Sequence, residues 1–126
     1  MNWFVFSAGL LFSFMTVGHF VVGSKEYLKP MLNSDMNLLP KKVMLSVFHY
    51  ISVFMILSSV ILLASGAGYF AFQEYNLLVK FISINLAGFA VWQIAIALSS
   101  GIQNALIKMF QWIMFLAIAL LAWLGT

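Results

Sequence analysis

Residues Val43 to Ser65 read VMLSVFHYISVFMILSSVILLAS, an apolar run with no Asp, Glu, Lys or Arg in it. A helix rises ~1.5 Å per residue, so about 20 residues cross a hydrocarbon core of ~30 Å, and this run is long enough to do so. Backbone amides in lipid must be satisfied internally, which leaves helices or closed barrels. A barrel needs alternating strands of about 9–11 residues, and the sequence has no such alternation. The run therefore reads as a transmembrane helix. Working outward, Trp3 to Gly23, Leu77 to Ser99 and Ala105 to Gly125 are also long enough, the last two with a single lysine each, Lys80 and Lys108, near one end. The fold class predicted is all-α: a four-helix transmembrane bundle, one integral membrane domain over residues 1–126.

Composition agrees. The chain is 64% apolar and 7% charged, against about 45–50% and about 25% in soluble domains, so a water-soluble monomer is excluded. Cysteine is absent, which removes disulfides, thiolate metal sites and cysteine nucleophiles. The sequence has no phosphate-binding loop, no GxGxxG or GxSxG motif and no basic stripe for nucleic acid.

The lysines set the orientation. Lys25, Lys29, Lys41 and Lys42 lie in the connection 24–42, and Lys108 opens the fourth span on the same side, whereas Lys80 alone lies near the other side. The positive-inside rule puts that basic surface in the cytoplasm and both termini outside, in the periplasm. Trp3, Phe4, Tyr69, Tyr75 and Trp123 gather near the outer boundary and Tyr27 near the inner one, as interfacial rings do. The first span lacks a basic lead-in and a good cleavage site, so it reads as a retained span. Pro30 is expected to stop the first helix and Pro40 to pre-set the second. Connection 24–42 is apolar enough to lie along the inner headgroups, its lysines drawn to anionic lipid at ~1 kcal/mol each; a partner-docking surface is the alternative. Gly66 and Gly68 form a helix-ending pair, and 100–104 a tight hairpin turn.

Polar residues at membrane depth are the functional pointers. Ser46, His49, Ser52 and Ser59, at spacings of 3, 3 and 7, are expected on one inward face of the second helix, and Gly9, Ser13 and Thr16 form a similar stripe leading to His19. Thr16, Ser46 and Ser52 are the inward hydroxyls to watch, although small residues and hydroxyls also serve plain helix packing. Counted from the inner ends of their spans, His19 lies at about 6 Å, and His49, Gln93 and Gln111 at about 9 Å. These four are expected to form a polar layer in the cytoplasmic half of the bundle. Three uses remain open: hydrogen bonds that fix helix register, a path for protons or ions, or a haem b held by His19 and His49 as axial ligands. A structural metal has no third strong ligand in the spans. No carboxylate lies within a span and no Arg occurs at all, unlike small four-helix multidrug transporters and fluoride channels respectively. Lys80 and Lys108 are expected to snorkel to the headgroups. Self-association is expected through Ser83-x-x-x-Ala87 or Ala97-x-x-x-Gly101.

Gly18-His19 with Gly23 following, Lys29-Pro30, Phe48-His49, Trp112 with Phe115-Leu116-Ala117, and Ala122-Trp123-Leu124-Gly125 resemble, in order along nearly the whole chain, a widespread family of small uncharacterised bacterial integral membrane proteins. Its members often show Gly-His-x-x-x-Gly-Glu, Arg-Pro and Trp-His at these places; here Ser24, Lys29 and Phe48 stand for the Glu, Arg and Trp. The resemblance implies four spans in a bacterial inner membrane, attaches no reaction, and draws attention to His19 and His49. The function expected is that of a structural or accessory membrane protein, with a small proton or ion channel or carrier and a haem-binding redox subunit as alternatives. An enzyme acting alone is not expected, because no nucleophile, base and orienter can be assembled.

Overall fold

Asn2 opens the first helix as its N-cap, its side-chain oxygen accepting the Val5 N–H at 3.2 Å. In the computed structural model, which describes all of residues 1–126, that helix runs unbroken from Trp3 to Leu32, α-helical to Gly18, π-helical over His19–Leu28 and α-helical again over Lys29–Leu32. Pro30 does not stop it. The Lys29 N–H reaches back to the Ser24 carbonyl, and Pro30, with no N–H to offer, sits in the opening turn of the fresh α-helical register, where a missing donor is tolerated. The second helix spans Leu38–Ala67 with Pro40 in its first turn, so only 33–37 of connection 24–42 separates the two helices.

Gly68, at φ 90°, closes the second helix, its N–H directed at the Ala64 and Ser65 carbonyls. Gly66 acts through packing instead. A Cβ there would collide with the backbone of Phe6, so its bareness permits the close approach of the first two helices. The third helix, Phe72–Ser99, begins where the Glu74 carboxylate accepts the Ala71 N–H at 2.9 Å. A turn with Gly101 and Asn104 in left-handed conformations leads to one helical turn, Ala105–Lys108, and then to the last helix, Gln111–Leu124. The expected fourth span is thus interrupted at Met109 and Phe110, and Trp112 Nε1–H donates to the Leu106 carbonyl across the break at 3.0 Å.

The chain is all-helical with no strand. Three helices, Trp3–Leu32, Leu38–Ala67 and Phe72–Ser99, are long and apolar enough to cross a membrane, which marks a membrane protein; Gln111–Leu124 is a shorter apolar helix. Its 14 residues reach about 21 Å at ~1.5 Å each.

Packing follows one rule. The inward positions of the first helix are Val5, Gly9, Phe12, Thr16, His19 and Gly23, and those of the second are Phe48, Ser52, Met55, Ser59, Leu62 and Gly66. Both sets step by 4 and 3 alternately, the 3.5-residue seam of left-handed helix pairs. Tyr75, Val79, Ile82 and Leu86 on the third helix, and Phe115, Ile118, Ala122 and Gly125 at the last, repeat the pattern. The first helix packs on the second and on the last, and the third packs on the last, while the second and third touch lightly. At mid-height each of these helices sends one phenylalanine inward. Phe12, Phe54, Phe89 and Phe115 meet edge to face in sequence, at centroid spacings of 6.4, 5.5 and 5.8 Å. At one end Asn2 joins three helices, its backbone N–H donating to Gly66 O and its side-chain amide to Gly125 O, both at 2.7 Å. The two chain ends therefore meet at the same end of the bundle.

Candidate functional site

The seam decides which polar side chains face inward. A three-residue step turns a helix about 300°, some 60° short of a full turn. His49 and Ser46 thus fall about 60° and 120° away from Ser52, a drift that the run of threes conceals. Ser52 and Ser59 are buried in the seam, Ser46 is half-buried and returns its hydroxyl to the Lys42 carbonyl at 3.0 Å, and His49 stands on the exposed side of the helix. Phe48, four residues before Ser52, takes the inward place that the sequence reading assigned to its neighbour His49.

His19 meets the second helix there. Its ring stacks on Phe48 at 4.1 Å between centroids and 18° between planes, and its Nε2 lies 2.9 Å from Ser52 Oγ. The one hydroxyl proton of Ser52 goes to the Phe48 carbonyl at 3.0 Å, so in this contact Nε2–H donates and the serine oxygen accepts. A turn above, Thr16 repeats the scheme: its hydroxyl donates to Phe12 O at 2.8 Å, leaving Ser59 to donate to Thr16 Oγ1 at 3.2 Å. A second polar cluster joins three helices. Gln93 Nε2 donates to Gln111 Oε1 at 2.8 Å, and Gln111 Nε2 donates to the Tyr27 hydroxyl at 3.2 Å. Gln93 Oε1 is buried with no partner.

Of the four residues expected in one polar layer, Gln93 and Gln111 bond directly, His19 belongs to a separate pair with Ser52, and His49 lies outside both clusters. Tyr27, Phe48 and Ser59 complete these clusters, and only the 4–3 spacing of the second helix could have singled out Phe48 from sequence. Haem fits this geometry poorly. The Nε2 of His19 is engaged by Ser52, one ring face is covered by Phe48, and His49 is turned to the exposed side, so the two imidazoles are not presented as facing axial ligands. No group of three or more His, Asp or Glu side chains gathers anywhere that could hold a metal ion.

The basic residues stand where the first two helices approach their connection. Lys25, Lys29 and Lys42 are exposed, Lys41 is half-buried, and Lys108 is exposed on the short turn Ala105–Lys108. Lys25 pairs with Glu26 at 3.7 Å, a solvent-exposed contact of little energetic weight. Lys80 lies over the Trp123 ring, 5.9 Å from its centroid, as a cation near an aromatic face does. Ser83 donates to the Ala119 carbonyl at 2.7 Å and Ala97 is buried, so both small-residue motifs expected to join two copies already engage one residue within the chain. No protein-family model, curated protein or solved structure matches this chain.

Proposed function

We propose that the protein is a structural or accessory component of a bacterial inner membrane, a four-helix transmembrane bundle with both termini on the periplasmic side and its lysine-rich end in the cytoplasm. One observation carries this reading: most polar side chains of the interior are engaged within the chain, with Gln93 Oε1 and Ser65 Oγ among the buried exceptions. The hydroxyls of Ser13, Thr16 and Ser52 return to carbonyls of their own helix, His19 and Gln111 are engaged by neighbouring helices, and the four phenylalanines fill mid-height. Such an interior holds helices in register rather than conducting. The last helix is short for a span, and local thinning or snorkelling accommodates that at modest cost. The channel alternative needs a polar path through the phenylalanines, and the haem alternative needs His49 turned inward. The family likeness then describes a scaffold, in which the residue before His49 covers the face of His19.

The test is flux and stability measured on the same preparation. In liposomes under a pH gradient the purified protein is expected to leak no faster than protein-free vesicles. His49→Gln is expected to leave its unfolding temperature nearly unchanged, and His19→Gln, which keeps a donor for Ser52 but loses the stack on Phe48, is expected to lower it less than His19→Ala does. A protein-dependent proton flux that is lost in Gln111→Leu would replace this reading with the channel.

A further inference from the structure

Towards their basic ends, the first two helices diverge. An open groove of about 250 Å³ runs between them, with Tyr27, Leu28 and Met31 on one wall and Met44, Val47 and Ile51 on the other. The stacked His19 and Phe48 rings also line it. Both polar side chains bordering it are engaged inside the chain, His19 with Ser52 and Tyr27 with Gln111. The walls thus offer an occupant apolar contact along their length.

The mouth is different. Lys41 continues the stripe of Met44, Phe48 and Ile51 at spacings of 3, 4 and 3, and Lys29 stands between Leu28 and Met31 in the chain. Glu26 is answered by Lys25, which leaves Lys29, Lys41 and Lys42 with Asp35 as the one other acid in this segment. An apolar slot with a cationic mouth matches a molecule with an apolar tail and an anionic head. We propose that the groove seats one anionic phospholipid, an acyl chain between the two helices and its phosphate at Lys29 and Lys41. This rests on the bilayer reading above and adds to it a ligand class and a site.

The test takes the full chain from membranes washed at alkaline pH, extracts it in mild detergent, and counts retained lipid by native mass spectrometry. Phosphatidylglycerol, phosphatidylcholine with the same acyl chains, and soluble glycerol phosphate are the probes. One phosphatidylglycerol per chain is expected to be retained in preference to phosphatidylcholine, with glycerol phosphate not retained. Lys41→Gln is expected to weaken retention about fivefold, the factor that corresponds to ~1 kcal/mol per interfacial lysine. Val47→Trp, at a position 42% exposed, should fill the slot and abolish retention with no change of charge; if it does not fold, Lys41→Gln decides alone. Equal retention of the two lipids, retention of glycerol phosphate, indifference to these variants, or a dimer that Val47→Trp dissociates would each overturn the lipid site and leave the bilayer reading intact. Release of the protein by the alkaline wash alone would overturn both.

Discussion

Gly66 and Gly88 are the same residue type with opposite consequences. A Cβ at Gly66 would meet the Phe6 backbone, which cannot rotate away as a side chain can, whereas nothing lies within 4 Å of the Cβ position at Gly88. Gly66→Ala is therefore expected to destabilise the bundle by ~1–3 kcal/mol through overpacking. Gly88→Ala should stabilise it by up to ~1 kcal/mol, since Ala holds a helix better than Gly. Thermal unfolding in detergent micelles reads both. The histidines divide in the same way. His49→Ala, on the exposed side, is expected within ~0.5 kcal/mol of the parent, while His19→Ala loses the Phe48 stack and the bond to Ser52, roughly 1–2 kcal/mol together. Equal effects from the two would contradict the assigned faces. Sequence pointed to both imidazoles, but a spacing of threes does not distinguish a seam from a drift around the helix.

At the scale of an element, helix ends follow local chemistry. Gly68 adopts φ 90° to cap the second helix, and Gly68→Ala is expected to cost ~1–2 kcal/mol for a left-handed L-residue. Hydrogen exchange at Tyr69, whose N–H bonds to Ala64 O at 3.0 Å, should quicken as that cap frays. Three long helices were legible from apolar run length alone. The continuation through Pro30 was not, because a proline ends a helix only where its missing N–H and its ring conflict with the register around it, and the π-helical turns before it change that register. The break at Met109 and Phe110 was likewise missed, for both residues are apolar and the polar Lys108 and Gln111 beside them were read as belonging to one continuous span.

In the whole molecule, helices that share no hydrophobic drive in lipid are held by shape and a few interhelical hydrogen bonds. Phe12 is fully buried at the centre of that fit. Phe12→Ala is expected to cost less than the ~3–5 kcal/mol typical in water, roughly 2–3, because lipid replaces water as the reference for the lost ring. The topology is open to a direct reading, since the chain has no cysteine of its own. A membrane-impermeant maleimide is expected to label Gln73→Cys in intact cells and Asp35→Cys only after permeabilisation. The reverse pattern would invert the orientation.

Apolar run length and the scarcity of charge within the runs determined by themselves that this is a helical chain with helices long and apolar enough to cross a membrane, because the demand for internal backbone hydrogen bonding in lipid needs no partner to be enforced. Lysine placement likewise carries the proposed orientation, since each charge acts on its own. Which polar groups meet was decided by tertiary structure alone. Thr16 finds Ser59, His19 finds Ser52, and Gln93 finds Gln111 across helix pairs. Each pairing depends on how two seams rotate and slide into contact, and the sequence of one helix does not specify the face that another presents.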